Sequence, residues 1–167
     1  VLGTGVCLFA DGDPLGTAQL RAGLGLSSGG RVILGIGAGW LKEETELMGT
    51  KFNQRWKRLR ETVEAMRVLW TETAASYDGE LVRFPAVRCE PQPIQYPGPP
   101  ILLGGLGPKV LERVVRSYDG WYPFVSGPDA FEKDMETLRI LANEAGRDPN
   151  TIQVTAIIDP RDGTIPV

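Results

Sequence analysis

Arg31-Val-Ile-Leu-Gly-Ile-Gly-Ala-Gly-Trp40 reads as a buried β-strand that runs into glycines at Gly35, Gly37 and Gly39. Glycine brings nothing to pack in a strand interior and loses more backbone freedom on ordering than any other residue. Three of them at alternate positions point to something that approaches the backbone closely. A shorter version recurs at Pro100-Ile-Leu-Leu-Gly-Gly105. Two apolar strands that both finish in glycine point to a ligand lying across adjacent strand ends.

On the N-terminal side of this stretch, Leu2–Phe9 reads as a first strand carrying Gly3 and Gly5. Asp11-Gly-Asp-Pro14 is a turn, with Pro14 placed for the first turn of a helix. That helix runs to about Leu26 and is weak, because Gly16, Gly23 and Gly25 each cost about 1 kcal/mol relative to alanine. Ser27-Ser-Gly-Gly30 stops it, and Arg31–Ile36 follows as an apolar, non-alternating strand of the kind found in parallel sheets covered on both faces.

After Trp40 comes a charged loop or short helix with Glu43, Glu44 and Glu46, most simply a solvated face. Gln54–Glu72 is the clearest helix: Trp56, Leu59, Val63, Met66 and Trp70 step by three and four residues onto one stripe. Lys57, Arg58, Arg60, Glu61, Glu64 and Arg67 then form its solvent-facing surface. Tyr77-Asp-Gly-Glu80 is a turn in a small excursion, with Leu81–Phe84 and Val87–Glu90 as short strands. The proline-rich Pro91–Pro100 segment is an extended connector leading into the strand Ile101–Gly104.

Pro108 starts a helix whose apolar face is Val110, Leu111, Val114, Val115 and Tyr118. Asp119-Gly-Trp121 turns the chain into a strand over Tyr122–Val125, with Asp119 pinning the turn. Gly127-Pro128 opens a helix with Phe131, Met135, Leu138, Leu141 and Ala145 on one side, and Gly146 fits its stop. Ile152–Ile158 is a final strand and Asp159–Val167 a loose tail. The order is β-α-β-α-β-α-β-α-β, with no internal repeat. Unbroken alternation means a parallel sheet, either doubly wound or barrel.

At 167 residues the chain fits a single domain over 1–167, able to bury roughly 70% of the surface its unfolded form exposes. Its 42% hydrophobic and 23% charged residues and net charge of −3 give no electrostatic reason to expect nucleic acid or an anionic membrane. No apolar run approaches the ~20 residues of a membrane span, and no signal peptide is visible. A cytoplasmic protein with Cys7 and Cys89 as reduced, buried thiols is the expectation. The chain contains no histidine, which removes Ser-His-Asp and Cys-His catalysis and His-ligated zinc from these residues; no metal site is expected. Opening on Val1 in a strand-like run, it reads as a processed, truncated or partial chain.

Leu2-Gly-Thr-Gly-Val6, Ser28-Gly-Gly-Arg31, Leu34-Gly-Ile-Gly-Ala-Gly-Trp40, Pro99-Pro-Ile-Leu-Leu-Gly-Gly105 and Asp119-Gly-Trp121 resemble, in order and spacing, the luciferase-like monooxygenase family. So do Leu69-Trp70-Thr71 and Glu144-Ala-Gly-Arg-Asp-Pro149. The resemblance runs from about Leu2 to Val154. It implies an α/β fold, a partial (β/α)₈ TIM barrel of the bacterial-luciferase-like type with parallel strands alternating with helices. It also implies a flavin-type oxidoreductase using the deazaflavin coenzyme F420 for hydride transfer, or FMN with oxygen, on a small organic substrate. A whole barrel takes about 250 residues, and by the family pattern this chain begins near the third strand and stops near the seventh. The early strands that carry a proton-transferring residue in much of the family have no counterpart here, so no catalytic residue is carried over. Gly23 and Gly25 also depart from the family, which tends to have alanine or larger and aspartate there.

The resemblance gives the candidate site three parts. Gly104, Gly105, Leu106 and Gly107 ahead of Pro108 form a candidate phosphate cradle, a glycine-rich loop feeding the positive end of a helix; a plain tight βα turn is the alternative. Gly37, Ala38 and Gly39 lie at the carboxyl end of their strand, where barrel sites sit. They are read as backbone against the cofactor ring, with a simple strand kink as the alternative. Trp40 is either part of that site or a core aromatic. Thr4, Gly5 and Val6 match the family's strand bulge, which implies a non-prolyl cis peptide at Gly5–Val6. Arg31 reads as a strand-start anchor.

Three functions follow from these readings. The first is a flavin-type oxidoreductase binding coenzyme F420 or FMN. The second is a non-catalytic flavin-binding domain. The third is an assembly domain burying its open sheet edges against a partner. Open edges and uncovered helix seats are hard to stabilise in a free monomer, so a homo-oligomer is expected.

Overall fold

The computed structural model describes residues 1–8, 13–125 and 127–158, with Ile158 described by its backbone alone. The turn expected at Asp11-Gly12, the end of the first expected strand at Phe9, and the tail from Asp159 lie outside these. The chain divides into two compact units. One holds Val1–Gly3, Cys7–Ile33 and Gly37–Pro99; the other holds Thr4–Val6, Leu34–Ile36 and the chain from Pro100 onward.

In chain order the first unit carries β1 (Leu2–Gly3), β2 (Cys7–Leu8), α1 (Pro14–Ser28), β3 (Val32–Gly37, whose middle belongs to the second unit), α2 (Lys42–Leu47), α3 (Arg55–Thr71), β4 (Ala75–Asp78) and β5 (Arg83–Val87). β1 pairs in parallel with the start of β3, Leu2 opposite Val32. The single strand expected over Leu2–Phe9 is thus two short ones, interrupted at Thr4–Val6. α1 starts as its sequence demands: Asp13 accepts the N–H groups of Leu15 and Gly16 at 3.2 and 2.7 Å, and Pro14 takes the first position, where its missing donor costs nothing. Gly29, at φ 66°, caps the helix in the left-handed conformation after Ser28, which is two residues beyond the expected Leu26.

The glycines and alanines of α1 have a packing role. Ala18, Ala22 and Gly25 are buried, and this small-residue side lets α1 lie against α3. Trp70 of α3 donates its indole N–H to the Ala18 carbonyl at 3.1 Å. Gly98 lies flat on the Trp70 ring, where any β-carbon would overlap ring atoms. Gly23 is different, since nothing stands within 4 Å of a β-carbon built there. Gly23→Ala is therefore expected to raise stability by about 0.5–1 kcal/mol through helix propensity alone. Urea denaturation checks this, and a lowered midpoint would contradict it.

The stripe Leu59, Val63, Met66 and Trp70 on α3 is buried as its periodicity requires. Glu61 is not on the solvent surface with its charged neighbours: it is 3% exposed and accepts the N–H groups of Leu81 and Val82 at 2.7 and 3.0 Å. A buried carboxylate needs such partners, and they come from the turn of an antiparallel β4–β5 hairpin. That hairpin replaces the strands expected over Leu81–Phe84 and Val87–Glu90. Pairing across Gly79–Val82 moves both strands towards the N-terminus. Two further bonds hold the hairpin to α3, Tyr77 to Glu64 and Lys57 to Glu80. Burial and the Glu64 carboxylate push the Tyr77 phenol above its ordinary pKa, while the bond to Lys57 draws that of Glu80 down.

Both cysteines are free. Cys89 is fully buried, and burial together with the Glu90 charge raises its thiol pKa. Cys7 is half-buried, contrary to the expectation that both would be buried. Iodoacetamide at mildly alkaline pH is expected to alkylate Cys7 and to spare Cys89 until the fold opens, read by peptide mass spectrometry. Labelling of native Cys89 at the rate of Cys7 would contradict this burial.

The second unit carries β6 (Ile101–Gly104), α4 (Pro108–Ser117), β7 (Gly120–Tyr122), β8 (Phe124–Val125), α5 (Pro128–Glu144), β9 (Gln153–Val154) and β10 (Ile157–Ile158). The middle of β3 pairs in parallel with β6, β6 with β7, β7 with β9, and β8 with β10. The strands expected over Tyr122–Val125 and Ile152–Ile158 are each broken in two, the first at Pro123, which has no N–H to give a ladder. Val110, Leu111, Val114, Val115 and Tyr118 are buried as expected; on α5 the buried residues are Leu138 and Ala142, and Ala145 is exposed. Asp119 pins the turn before β7 by accepting the Ile101 N–H at 2.8 Å. No described helix is long and apolar enough to cross a membrane.

Candidate functional site

In the second unit, strand register sorts the residues onto two faces. Leu34, Ile101, Ile36, Leu103 and Trp121 fall on one face, because paired residues in a parallel ladder point the same way and neighbours alternate. This face is helix-covered: Trp121 is fully buried and stacks on Phe131 of α5 at 6.0 Å between ring centroids. The other face carries Gly35, Leu102, Gly104, Gly120 and Tyr122. In a barrel such positions are normally filled by bulky side chains; here three of the five are glycine.

Part of the space left by those glycines is filled by the chain itself. A β-carbon on Gly35 would overlap the Thr4 carbonyl oxygen, and the Thr4 hydroxyl donates to the Gly35 carbonyl at 2.7 Å. A β-carbon on Gly104 would stand 2.8 Å from Val6 Cγ1, and one on Gly5 would stand 2.6 Å from the Tyr122 hydroxyl oxygen. Thr4, Gly5, Val6 and Gly104 are thus brought together, with Gly35 and Tyr122 beneath them. What approaches the backbone at Gly35 is the chain's own Thr4, not the ligand that alternating glycines led us to expect. The Gly5–Val6 peptide is cis, as the resemblance implied.

The loop after β6 continues from this cluster. The Gly105 carbonyl accepts the Trp121 indole N–H at 2.9 Å, so the buried side chain on β7 holds the loop in place. Leu106 is half exposed. Gly107 has φ 90°, a conformation that favours glycine, with nothing within 4 Å of its β-carbon position. It precedes α4, whose N-terminus is capped by no side chain. The result is an open, glycine-walled approach to a positive helix end, which suits an anion.

Gly37, Ala38 and Gly39 belong to the first unit. Gly37 and Ala38 are buried and Gly39 is half-buried at φ 80°. The Gly39 carbonyl accepts Arg55 Nε at 3.2 Å, while the Arg55 guanidinium lies 3.8 Å over the Phe52 ring. Arg55 is therefore the group that holds this loop. Trp40 is 82% exposed, which removes its core reading. Arg31 anchors the strand start as expected, donating from Nε to the Ser28 carbonyl at 2.6 Å.

Two residues of these clusters were not singled out in the sequence. Arg55 is one of six cations from Lys51 to Arg67, with nothing local to mark it. Tyr122 had a readable signal: it follows Trp121, so if Trp121 faces the helices Tyr122 must face the glycines. No group of three or more His, Cys, Asp or Glu side chains that could hold a metal occurs among the described residues. The Thr4–Val6 and Gly104–Gly107 cluster offers backbone, open helix N–H groups and one phenol. Such an arrangement can bind and orient a ligand; it carries no charged acid or base on its described strands.

The profile of the family described as luciferase-like monooxygenase matches residues 1–160. The chain is 38% identical over 148 residues to an uncharacterised protein of Mycobacterium tuberculosis, covering 88% of this chain and 52% of that one. To the phthiodiolone/phenolphthiodiolone dimycocerosates ketoreductase of the same organism it is 33% identical over 158 residues, covering 92% of this chain and 41% of the relative. Among solved structures, the coenzyme F420 dependent tetrahydromethanopterin reductase from Methanopyrus kandleri superimposes with a TM-score of 0.79 at 28% identity, over 93% of this chain and 48% of that one. The chain spans about half the length of the curated relatives it matches. The fold is the expected one, an α/β half-barrel of parallel strands alternating with helices. On the profile match and these likenesses together, the chain belongs to the luciferase-like monooxygenase family.

Proposed function

We propose that the chain contributes the cofactor-binding strand ends of a flavin-type oxidoreductase that uses the deazaflavin coenzyme F420, with FMN as the competing cofactor, to act on a small organic substrate. The observation that carries this reading is the Gly104–Gly107 loop. It leaves α4 uncapped by any side chain and its last glycine open to space, so a phosphate has backbone to rest on and a helix dipole to meet. The residues present therefore fit a phosphorylated flavin-type group. When bound, that group supplies the hydride chemistry.

The chain's own residues bind and orient. In this reading Gly105, Leu106 and Gly107 hold the phosphate end, and Thr4, Gly5 and Val6 present backbone to one face of the ring. A carbonyl-type substrate is supported by the ketoreductase, and F420 as the cofactor by the F420-dependent reductase, to which the chain is similar. A fluorescence titration of the purified chain with coenzyme F420 and with FMN tests the reading. Saturable binding of F420, tighter than FMN, is expected. Binding of neither at high micromolar concentration would overturn it and leave the assembly domain in its place.

A further inference from the structure

Tyr122 is the one polar side chain among Gly35, Leu102, Gly104, Gly120 and Tyr122, the described second-unit residues of β3, β6 and β7 on the glycine-rich face. Its ring lies against Gly35, with Cδ1 3.2 Å from that residue's β-carbon position, and its hydroxyl reaches Gly5. The side chain is half-buried. A tyrosine held partly out of water ordinarily finds a partner for its hydroxyl. Tyr77 has Glu64, Tyr118 is engaged, and Tyr96 is 91% exposed to water. The Tyr122 hydroxyl makes no hydrogen bond to any described residue. The nearby Thr4 hydroxyl donates to the Gly35 carbonyl.

We propose that the Tyr122 hydroxyl is a hydrogen-bond donor to a bound ligand at the Thr4–Val6 and Gly104 strand ends, and that its acceptor is a carbonyl oxygen. The inference rests on the proposed function, because that reading supplies the ligand. A phenol O–H is an uncharged hydrogen-bond donor, so it recognises a carbonyl oxygen without bringing a charge into the site. Two sources present that chemistry, the deazaflavin ring and a ketone substrate, and they are separable by experiment.

Tyr122→Phe keeps the ring on Gly35 and removes only a hydroxyl that bonds to no described residue, so its melting temperature should match the parent. Should it fail to fold, Tyr122→Met, of similar reach and without a donor, carries the same comparison. One arm measures the Kd of coenzyme F420 by fluorescence. The other measures the Kd of cyclohexanone for the F420-saturated chain by calorimetry. A loss of about tenfold in one arm is expected, the size of one hydrogen bond; loss in the first assigns the bond to the ring carbonyl, loss in the second to the substrate. Affinities within twofold of the parent in both arms would overturn the assignment while leaving the proposed function standing. A parent chain that binds neither F420 nor FMN would overturn both.

Discussion

Gly35→Ala is expected to lower stability by about 3 kcal/mol or more, a fall of roughly 10 °C in melting temperature for a chain of this size. The added methyl group would overlap the Thr4 carbonyl oxygen and press on the Tyr122 ring at 3.2 Å. Neither neighbour yields easily. The Thr4 carbonyl is backbone, and the Thr4 hydroxyl is bonded to Gly35 itself at 2.7 Å. Relief therefore requires Thr4–Val6 to lift off β3, taking with it the Gly5 contact to Tyr122 and the Val6 contact to Gly104. The substitution should accordingly weaken binding of F420 as well as the fold. Gly107→Ala is the matching control, since its β-carbon position is open and only its φ of 90° opposes a side chain, at about 1–2 kcal/mol. Thermal denaturation of the pair checks this ordering. A Gly35→Ala protein that melts at the parent temperature would show that Thr4 is not seated where we find it.

Arg147→Met is expected to cost about 3 kcal/mol. Arg147 Nη1 donates to the carbonyls of Val114, Val115 and Tyr118 at 3.1, 2.9 and 2.8 Å. The Val115 carbonyl lies in the last turn of α4, where carbonyls lack intrahelical partners, and that of Val114 also accepts the Tyr118 N–H. Hydrogen bonds to a charged group contribute about 1.5–3 kcal/mol, and three sharing one nitrogen do not add fully. Arg147 is delivered there by its own local structure: Gly146 closes α5 at φ 69°, and the Arg147 N–H bonds back to the Ala142 carbonyl at 2.8 Å. Arg147→Lys keeps the charge and replaces the planar fork by a single ammonium, so it should recover only part of the loss. Urea denaturation measures both variants, and amide hydrogen exchange should show the last turn of α4 opening first. A Met variant as stable as the parent would mean that water satisfies those carbonyls equally well.

The helices that carry the fold are legible because each states its own boundaries and buried side. α3 announces itself by Leu59, Val63, Met66 and Trp70, α1 by Asp13-Pro14 and Gly29, and α4 by Gly107-Pro108 and an unbroken apolar stripe. Strands β3 and β6 are legible as apolar runs that end in glycine. The hairpin over Ala75–Val87 is less so, because its register depends on Glu61 accepting two N–H groups from twenty residues away. Nothing near Glu61 in sequence distinguishes it from the charged residues around it. The first strand fails for a related reason: Leu2–Leu8 is uniformly apolar and small, and its break at Thr4–Val6 comes from contacts with Gly35, Gly104 and Tyr122.

By itself the sequence determined the alternation of parallel strands with helices, the family, and the glycines that mark the strand ends, because turn chemistry and hydrophobic period act over a few residues. Only the tertiary structure decided what each glycine is for. Gly35 and Gly104 make room for the chain's own Thr4 and Val6, Gly98 for Trp70, and Gly107 for open space ahead of a helix. The structure alone also turned Tyr122 towards the glycines and gave its hydroxyl no partner among the described residues. A missing β-carbon is visible in the sequence, but what occupies its place comes from residues tens of positions away. That is set when strands pair and their faces are assigned.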